Sequence, residues 1–165
     1  MVQGMATAES LARRVAKHGG AALIIDYGQD APYPASLQAI REHAFVGLLE
    51  QPGSADLSAR VDFDALRCAV ADTGAPAACY GSISQAQLLL SLGIEARLEA
   101  LLQGASEQQG EALTAGFARL VGSGEGAATP AEEGMGQSYR ALCIAPQNEE
   151  PPFPFIAAAA PAAPS

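Results

Sequence analysis

The residues best able to do chemistry lie between Ala21 and Phe63. Asp26 and Tyr27 end a short apolar run, Ala21 to Ile25, and Gly28 follows them. A short apolar run stopping at a polar residue is how a buried strand of a parallel sheet ends. In open α/β sheets ligands bind in the crevice beyond the carboxyl ends of the strands. A carboxylate and a phenol at that point can therefore form one wall of a site. Two more acids follow, Asp56 after Pro52-Gly53-Ser54-Ala55 and Asp62 within Val61-Asp62-Phe63, and His43 adds a group that titrates near neutral pH. Each has a plainer role beside the chemical one. Asp26 can cap the turn after it, and Asp56 can be a solvated loop carboxylate. Asp62 is first of all a helix N-cap. Tyr27 can simply pack, and His43 can be solvated or hydrogen-bonded.

The elements that must position these residues are read from periodicity. Residues 7–17 predict a helix, with Leu11 and Val15 four apart, Thr7 as cap, and His18-Gly19-Gly20 as its end. A strand over 21–26 follows, then a loop broken by Pro32 and Pro34. Residues 36–43 read as a short helix or an irregular segment, and 45–49 as an extended piece over the sheet edge. Asp62 caps a helix over 63–73 that Gly74 ends. A short strand at 77–80 precedes a helix over 84–102, capped by Ser82 or Ser84 and interrupted at Gly93. A further helix over 110–121, a loop over 122–133 and a last strand over 138–145, ended by Pro146, complete the domain. Met135-Gly136 before that strand allows close backbone approach.

Composition sets limits. The 165 residues allow one domain, taken here as 1–146, with a Pro- and Ala-rich disordered tail over 147–165 that leaves Phe153 and Phe155 isolated. The chain is 49% hydrophobic, but much of that is alanine, so the core is thin. A net charge of −9 makes nucleic acid an unsuitable partner. No segment approaches the roughly 20 apolar residues that a membrane span needs. Cys68, Cys79 and Cys143 form no CxxC pair, lie in apolar surroundings, and read as buried reduced thiols. Neither His18 nor His43 stands at ligand spacing from them, so no metal site is expected.

Five phrases occur in order: IIDYG, SLQAIREH, PGSADLSARVDF, GSISQAQLLLSLGIEAR and GMGQSYRALCIAP. With them the chain resembles the MidA-like family of S-adenosyl-L-methionine-dependent methyltransferases, whose mitochondrial members methylate an arginine of a complex I subunit during assembly. The resemblance runs from about Glu9 to Pro146. It implies an α/β fold: the carboxyl-terminal part of a class I, Rossmann-like methyltransferase, with about three strands, the last antiparallel, and flanking helices. It also implies S-adenosyl-L-methionine as cofactor, a complex I subunit as protein substrate, and a mitochondrial setting, or a cytoplasmic one if the source is bacterial. An arginine nucleophile needs carboxylates to hold its guanidinium and accept a proton. On that reading Asp26, Asp56 and His43 are the catalytic candidates, and Tyr27, Gly28 and Asp62 contact substrate.

A cofactor loop of the Gly-x-Gly type needs a strand before it and a helix after it. Gly19-Gly20 precede a strand, and Gly122-Ser123-Gly124-Glu125-Gly126 reads as a linker. The expectation is that cofactor-binding residues lie upstream of Met1 and that this chain is a fragment inactive alone. Gln29, Pro34-Ala35 and Arg60 depart from the family's usual residues in the loop. The competing reading is a non-catalytic interaction or assembly module, or a pseudoenzyme remnant, docking through helices 63–73 and 84–102.

Overall fold

The computed structural model describes residues 2–123 and 134–155. Helix α1, Val2–His18, buries Ala8, Ala12 and Val15 in one stripe. It begins five residues before Thr7, whose hydroxyl donates to the Gln3 carbonyl at 2.9 Å. Thr7 is thus an interior residue satisfied by the preceding turn, not the cap expected from sequence. Strand β1, Ala22–Gln29, carries the apolar run and ends beyond Asp26-Tyr27.

Next come β2, Gln38–Arg41, and β3, Ala44–Val46. They form a hairpin whose two turn residues, Glu42 and His43, both have positive φ, 50° and 64°. That backbone twist suits a two-residue hairpin loop. The helix or irregular segment expected at 36–43 is instead a strand, because Ile40 gains a cross-strand partner in Phe45. Strand β4, Asp56–Ser58, pairs on the other side of β2. A very short β5, Val61–Asp62, leads into α2, Phe63–Asp72, and the Asp62 carboxylate accepts from the Ala65 N–H at 3.1 Å as N-cap.

The remaining elements are β6 (Ala77–Ser84), α3 (Gln85–Ser91), α4 (Ile94–Leu102), α5 (Glu107–Val121), α6 (Met135–Ser138) and β7 (Tyr139–Pro146). Ser84 caps α3 through the Gln87 N–H, and Gly93, at φ 85°, divides α3 from α4. The main sheet has the order β5-β1-β7-β6. β1 and β5 are parallel, and β7 runs antiparallel between β1 and β6, as the resemblance implied for the last strand. Where three strands were expected, the described residues hold a four-stranded sheet and a separate three-stranded one, β3-β2-β4.

Two cores flank the main sheet. On one face α1 and α2 bury Phe63, Leu66 and Val70 against Leu142 and Ile144. On the other, Tyr80, Ile83 and Leu88 pack with Ala141, Cys143 and Phe155. Phe155 therefore belongs to the core, although sequence placed it in a disordered tail. Its ring finds apolar neighbours that only the folded sheet assembles. The rest of that tail, 156–165, and most of the loop read at 122–133 lie outside the described residues. Cys79 and Cys143 are enclosed as expected, whereas Cys68 is exposed on the outer side of α2. Leu23 and Ile25 of β1 are 53% and 48% exposed, unusual for the middle of such a sheet.

Candidate functional site

A cavity of about 430 Å³ opens at the carboxyl end of β1. Its walls come from elements distant in sequence. Tyr27 enters from β1, Phe45 and Ile40 from the small hairpin, Arg119 from the last turn of α5, and Met135 and Ser138 from α6. Tyr139, at the start of β7, pairs with Tyr27 across the sheet, the ring centroids 5.8 Å apart and the planes tilted by 53°. This is where a ligand is expected in an open α/β sheet.

The strand–loop–strand geometry explains why these groups meet. α6 is held by close backbone approach at Gly136, whose N–H donates to the Gly122 carbonyl at 3.0 Å. A Cβ there would stand 2.3 Å from the Val121 carbonyl oxygen. The close approach foreseen for Met135-Gly136 is thus made against the end of α5, and it seats Met135 and Ser138 in the wall. Gly28 serves similarly at the other side, where a Cβ would lie 2.1 Å from the Val61 carbonyl oxygen and push β5 off β1.

The sequence candidates fall in different places. Tyr27 lines the cavity. Asp56 pairs with Ile40, and Ser58 with Gln38, so Asp56 shares the sheet face that carries Ile40, Gln38 and Ser58; it is exposed and is not one of the residues lining the cavity. His43 occupies the exposed tip of the β2–β3 hairpin. Gly28 contacts the β5 backbone, and Asp62 is buried with its carboxylate engaged in capping α2. Asp26 neighbours Tyr27 in sequence but faces the other way, because side chains alternate along a strand. It borders a second cavity of about 300 Å³, between α1, β1 and the approach to β5. Its Oδ1 accepts from the Tyr27 N–H at 2.8 Å. The structure therefore places Tyr27 in the cavity wall, leaves Asp56 outside the lining on the β2–β4 face, and holds Asp26 on the opposite face of β1.

Arg60 is the group that sequence reasoning had marked only as a departure from pattern. It borders both cavities. Its Nη1 donates to the Tyr33 hydroxyl at 3.0 Å, and its guanidinium lies 5.1 Å from the Tyr33 ring centroid. Tyr33 in turn belongs to the Pro-flanked loop after β1, so this contact ties the loop to the connection between β4 and β5.

Beyond β1, Asp30 ties three elements together. Its Oδ1 accepts from Arg67 Nη2 at 2.6 Å and from the Ser82 hydroxyl at 2.7 Å, and its Oδ2 accepts from Arg140 Nη2 at 2.9 Å. Arg140 Nε also donates to Ser82 Oγ at 2.6 Å, and Arg67 donates to the Gly81 carbonyl at 2.9 Å and to Asp64. Asp30 and Asp64 hold the Arg67 guanidinium protonated, which outweighs the opposing effect of burial. Burial pushes the Cys79 thiol up to about 11. Neither Asp30 nor its partners was identified from sequence; an acid just past a strand end was the only local signal.

Comparison with known proteins gives a consistent answer. A family model described as S-adenosyl-L-methionine-dependent methyltransferase matches residues 1–81. The chain is 33% identical to the mitochondrial protein arginine methyltransferase NDUFAF7 of Xenopus tropicalis over 141 residues, 85% of this chain and 30% of that protein. It is 35% identical to the Drosophila melanogaster homologue over 82% of this chain and 29% of that protein. A protein of uncharacterised function from Burkholderia thailandensis matches in structure with a TM-score of 0.66 at 25% identity, over 85% of this chain and 37% of its own. A methyltransferase-like protein of that organism, crystallised with S-adenosyl-homocysteine, gives 0.64 at 24% identity. The chain spans less than a third of the length of these curated relatives.

Among the described residues, no strand leads through a multi-glycine turn into a helix. The carboxylate that follows β1, Asp30, is engaged by two guanidiniums and a hydroxyl. No step of the chemistry is assigned to the adenosyl group on this chain.

Proposed function

We propose, because this chain belongs to the MidA-like family of S-adenosyl-L-methionine-dependent methyltransferases, that it supplies the substrate-side, carboxyl-terminal part of a protein-arginine N-methyltransferase. The proposed setting is the mitochondrion and the proposed target a subunit of complex I during its assembly; the mitochondrial names of the eukaryotic relatives support the first. The cofactor of the family is S-adenosyl-L-methionine, and the proposal assigns its binding to sequence outside this chain. Alone, the chain is then inactive.

One observation supports this reading: the cavity at the carboxyl end of β1, with Tyr27 in its wall and Asp56 the cross-strand partner of the lining residue Ile40. A target arginine lying across the mouth of this cavity rests its alkyl stem on Phe45 and the tyrosine pair, with its guanidinium turned outward, away from Arg60 and Arg119 of the wall and toward Asp56. Asp56 then grips the guanidinium by paired, charge-assisted hydrogen bonds and accepts the proton it sheds. Tyr27 fixes the direction of approach. Asp26 lies on the opposite face of β1 and His43 at the exposed tip of the β2–β3 hairpin, and the proposal assigns neither a role in this cavity.

The test is methyl transfer by a form extended upstream of Met1, with Asp56→Asn beside it. General acid–base and orienting groups contribute about 10²–10⁴-fold, so Asp56→Asn should lower transfer to arginine at least about 100-fold. Unchanged transfer in that variant, or a methylated product other than arginine, refutes the assignment.

A further inference from the structure

The cavity at the carboxyl end of β1 has the opposite charge from the chain around it. The sequence holds 18 acids against 9 bases, a net charge of −9. Yet the residues that line the cavity include two arginines, Arg60 and Arg119, and no acid. They arrive from separate elements, Arg60 from the connection between β4 and β5 and Arg119 from the last turn of α5. Arg60 is held in place, its Nη1 on the Tyr33 hydroxyl and its guanidinium over the Tyr33 ring. Arg119 is exposed, and none of the ion pairs among the described residues involves it. An arginine in a last helical turn also offsets the helix dipole. That role accounts neither for Arg60 nor for the lack of acids in the lining. Two guanidiniums in one wall repel a third and attract an anion. A carboxylate matches them best, because the planar guanidinium fork binds it through paired hydrogen bonds. Gln38 and Ser58 add polar groups to the same space, whose volume of about 430 Å³ exceeds that of one acidic side chain.

We propose that this cavity takes a carboxylate side chain of the substrate protein, an aspartate or glutamate within two residues of the target arginine. Arg119 selects it, and Arg60 supplies the second charge. Neighbouring side chains of an extended peptide point to opposite sides. An acid therefore enters the cavity while the arginine near it faces Asp56. The substrate is read as a cation and an anion side by side, with Asp56 outside the cavity meeting the first and the two arginines in its wall meeting the second. That the acid flanks a methylated arginine rests on the proposed function. That the cavity binds a carboxylate does not, and the test reads binding apart from methyl transfer.

The experiment is fluorescence anisotropy on the 165-residue chain with short labelled peptides that have a central arginine. One series carries glutamate at each of the two positions on either side, and the other carries glutamine there. At low salt one glutamate position should bind about 10-fold more tightly than its glutamine counterpart, the scale of a hydrogen bond to a charged group. The gain should shrink as salt is added. Arg119→Gln should abolish it at unchanged melting temperature, and Arg119→Lys should restore part of it. Arg119→Glu should transfer the preference to lysine at the same position, which a purely structural arginine would not do. Equal binding of the glutamate and glutamine peptides at every position overturns the proposal. So does a glutamate preference that Arg119→Gln leaves intact. Tighter binding of free glutarate than of any peptide overturns it as well, since a small acid is then the occupant. Methyl transfer by the form extended upstream of Met1 separates the two claims. Methylation of arginine with no acid preference overturns this proposal alone, and an acid preference without methylated arginine overturns the proposed function alone.

Discussion

Removing the Asp30 carboxylate tests whether the knot beyond β1 holds the site end of the sheet. Asp30→Ala leaves Arg67 and Arg140 facing each other across Ser82 without the anion between them. Losing one partner of a fully buried pair costs about 3–5 kcal/mol, and an exposed pair is worth only about 0.2–1 kcal/mol. The side chains here are 23% and 32% exposed, which places the pair between these limits. Arg67 keeps Asp64 and the Gly81 carbonyl, and Arg140 keeps Ser82, so the loss is not total. The expected cost is about 2 kcal/mol, or a fall in Tm of about 4–8 °C for a chain of this size. Urea denaturation should show a lower midpoint at unchanged slope. A double-mutant cycle with Arg140→Met should return a coupling of about 1 kcal/mol. A cost under about 0.5 kcal/mol, or strict additivity in the cycle, would show the knot to be an ordinary surface ion pair.

Gly136→Ala should destabilise by about 1–3 kcal/mol, as overpacking does, because the new methyl meets the Val121 and Gly122 carbonyls; a melting curve unchanged from the parent counts against this. Native alkylation with iodoacetamide should label Cys68 first and leave Cys79 and Cys143 slow, since only Cys68 is exposed; equal labelling by peptide mass mapping would contradict the placement. Cys79 has a thiol pKa raised by burial to about 11 against an ordinary 9.0. The unfolded chain therefore loses that proton first, and stability is full below about pH 9 and falls toward pH 11 by on the order of 2 kcal/mol. Cys79→Ala should flatten this alkaline loss in stability measured against pH.

Local chemistry made much of the fold readable in the sequence. Asp62 announced a helix start through its side-chain oxygen, as did Ser84 as one of two cap candidates, the other, Ser82, bonding Asp30 instead; Gly74 announced a helix end, and the run 21–25 announced β1. What escaped depends on partners far along the chain. Strand β2 is a strand because Phe45 and Leu57 lie beside it, and residues 36–43 carry too little period to show this alone. Phe155 is a core residue only once β6 and β7 have paired. Within the site, Tyr27 was legible because strand ends are where ligands bind. Arg119 and Met135 reach the same cavity through tertiary placement, for which a sequence offers no local mark. Asp26 was marked by its neighbour, yet adjacency along a strand puts two side chains on opposite faces.

That alternation makes the length of β1 more tightly bound than its composition. The cavity of Tyr27 and the slot of Asp26 lie back to back across one backbone, with a carboxylate opening to one side and a phenol to the other. Exchanging Leu23 for valine or Ile25 for leucine leaves this arrangement intact. Adding or deleting a single residue anywhere from 22 to 25 would trade the two chambers' chemistry, giving the large one an acid and the small one a ring too broad for it. Apolar exchanges at Leu23 and Ile25 should therefore be tolerated, while insertions and deletions should be confined to the turns on either side of the strand.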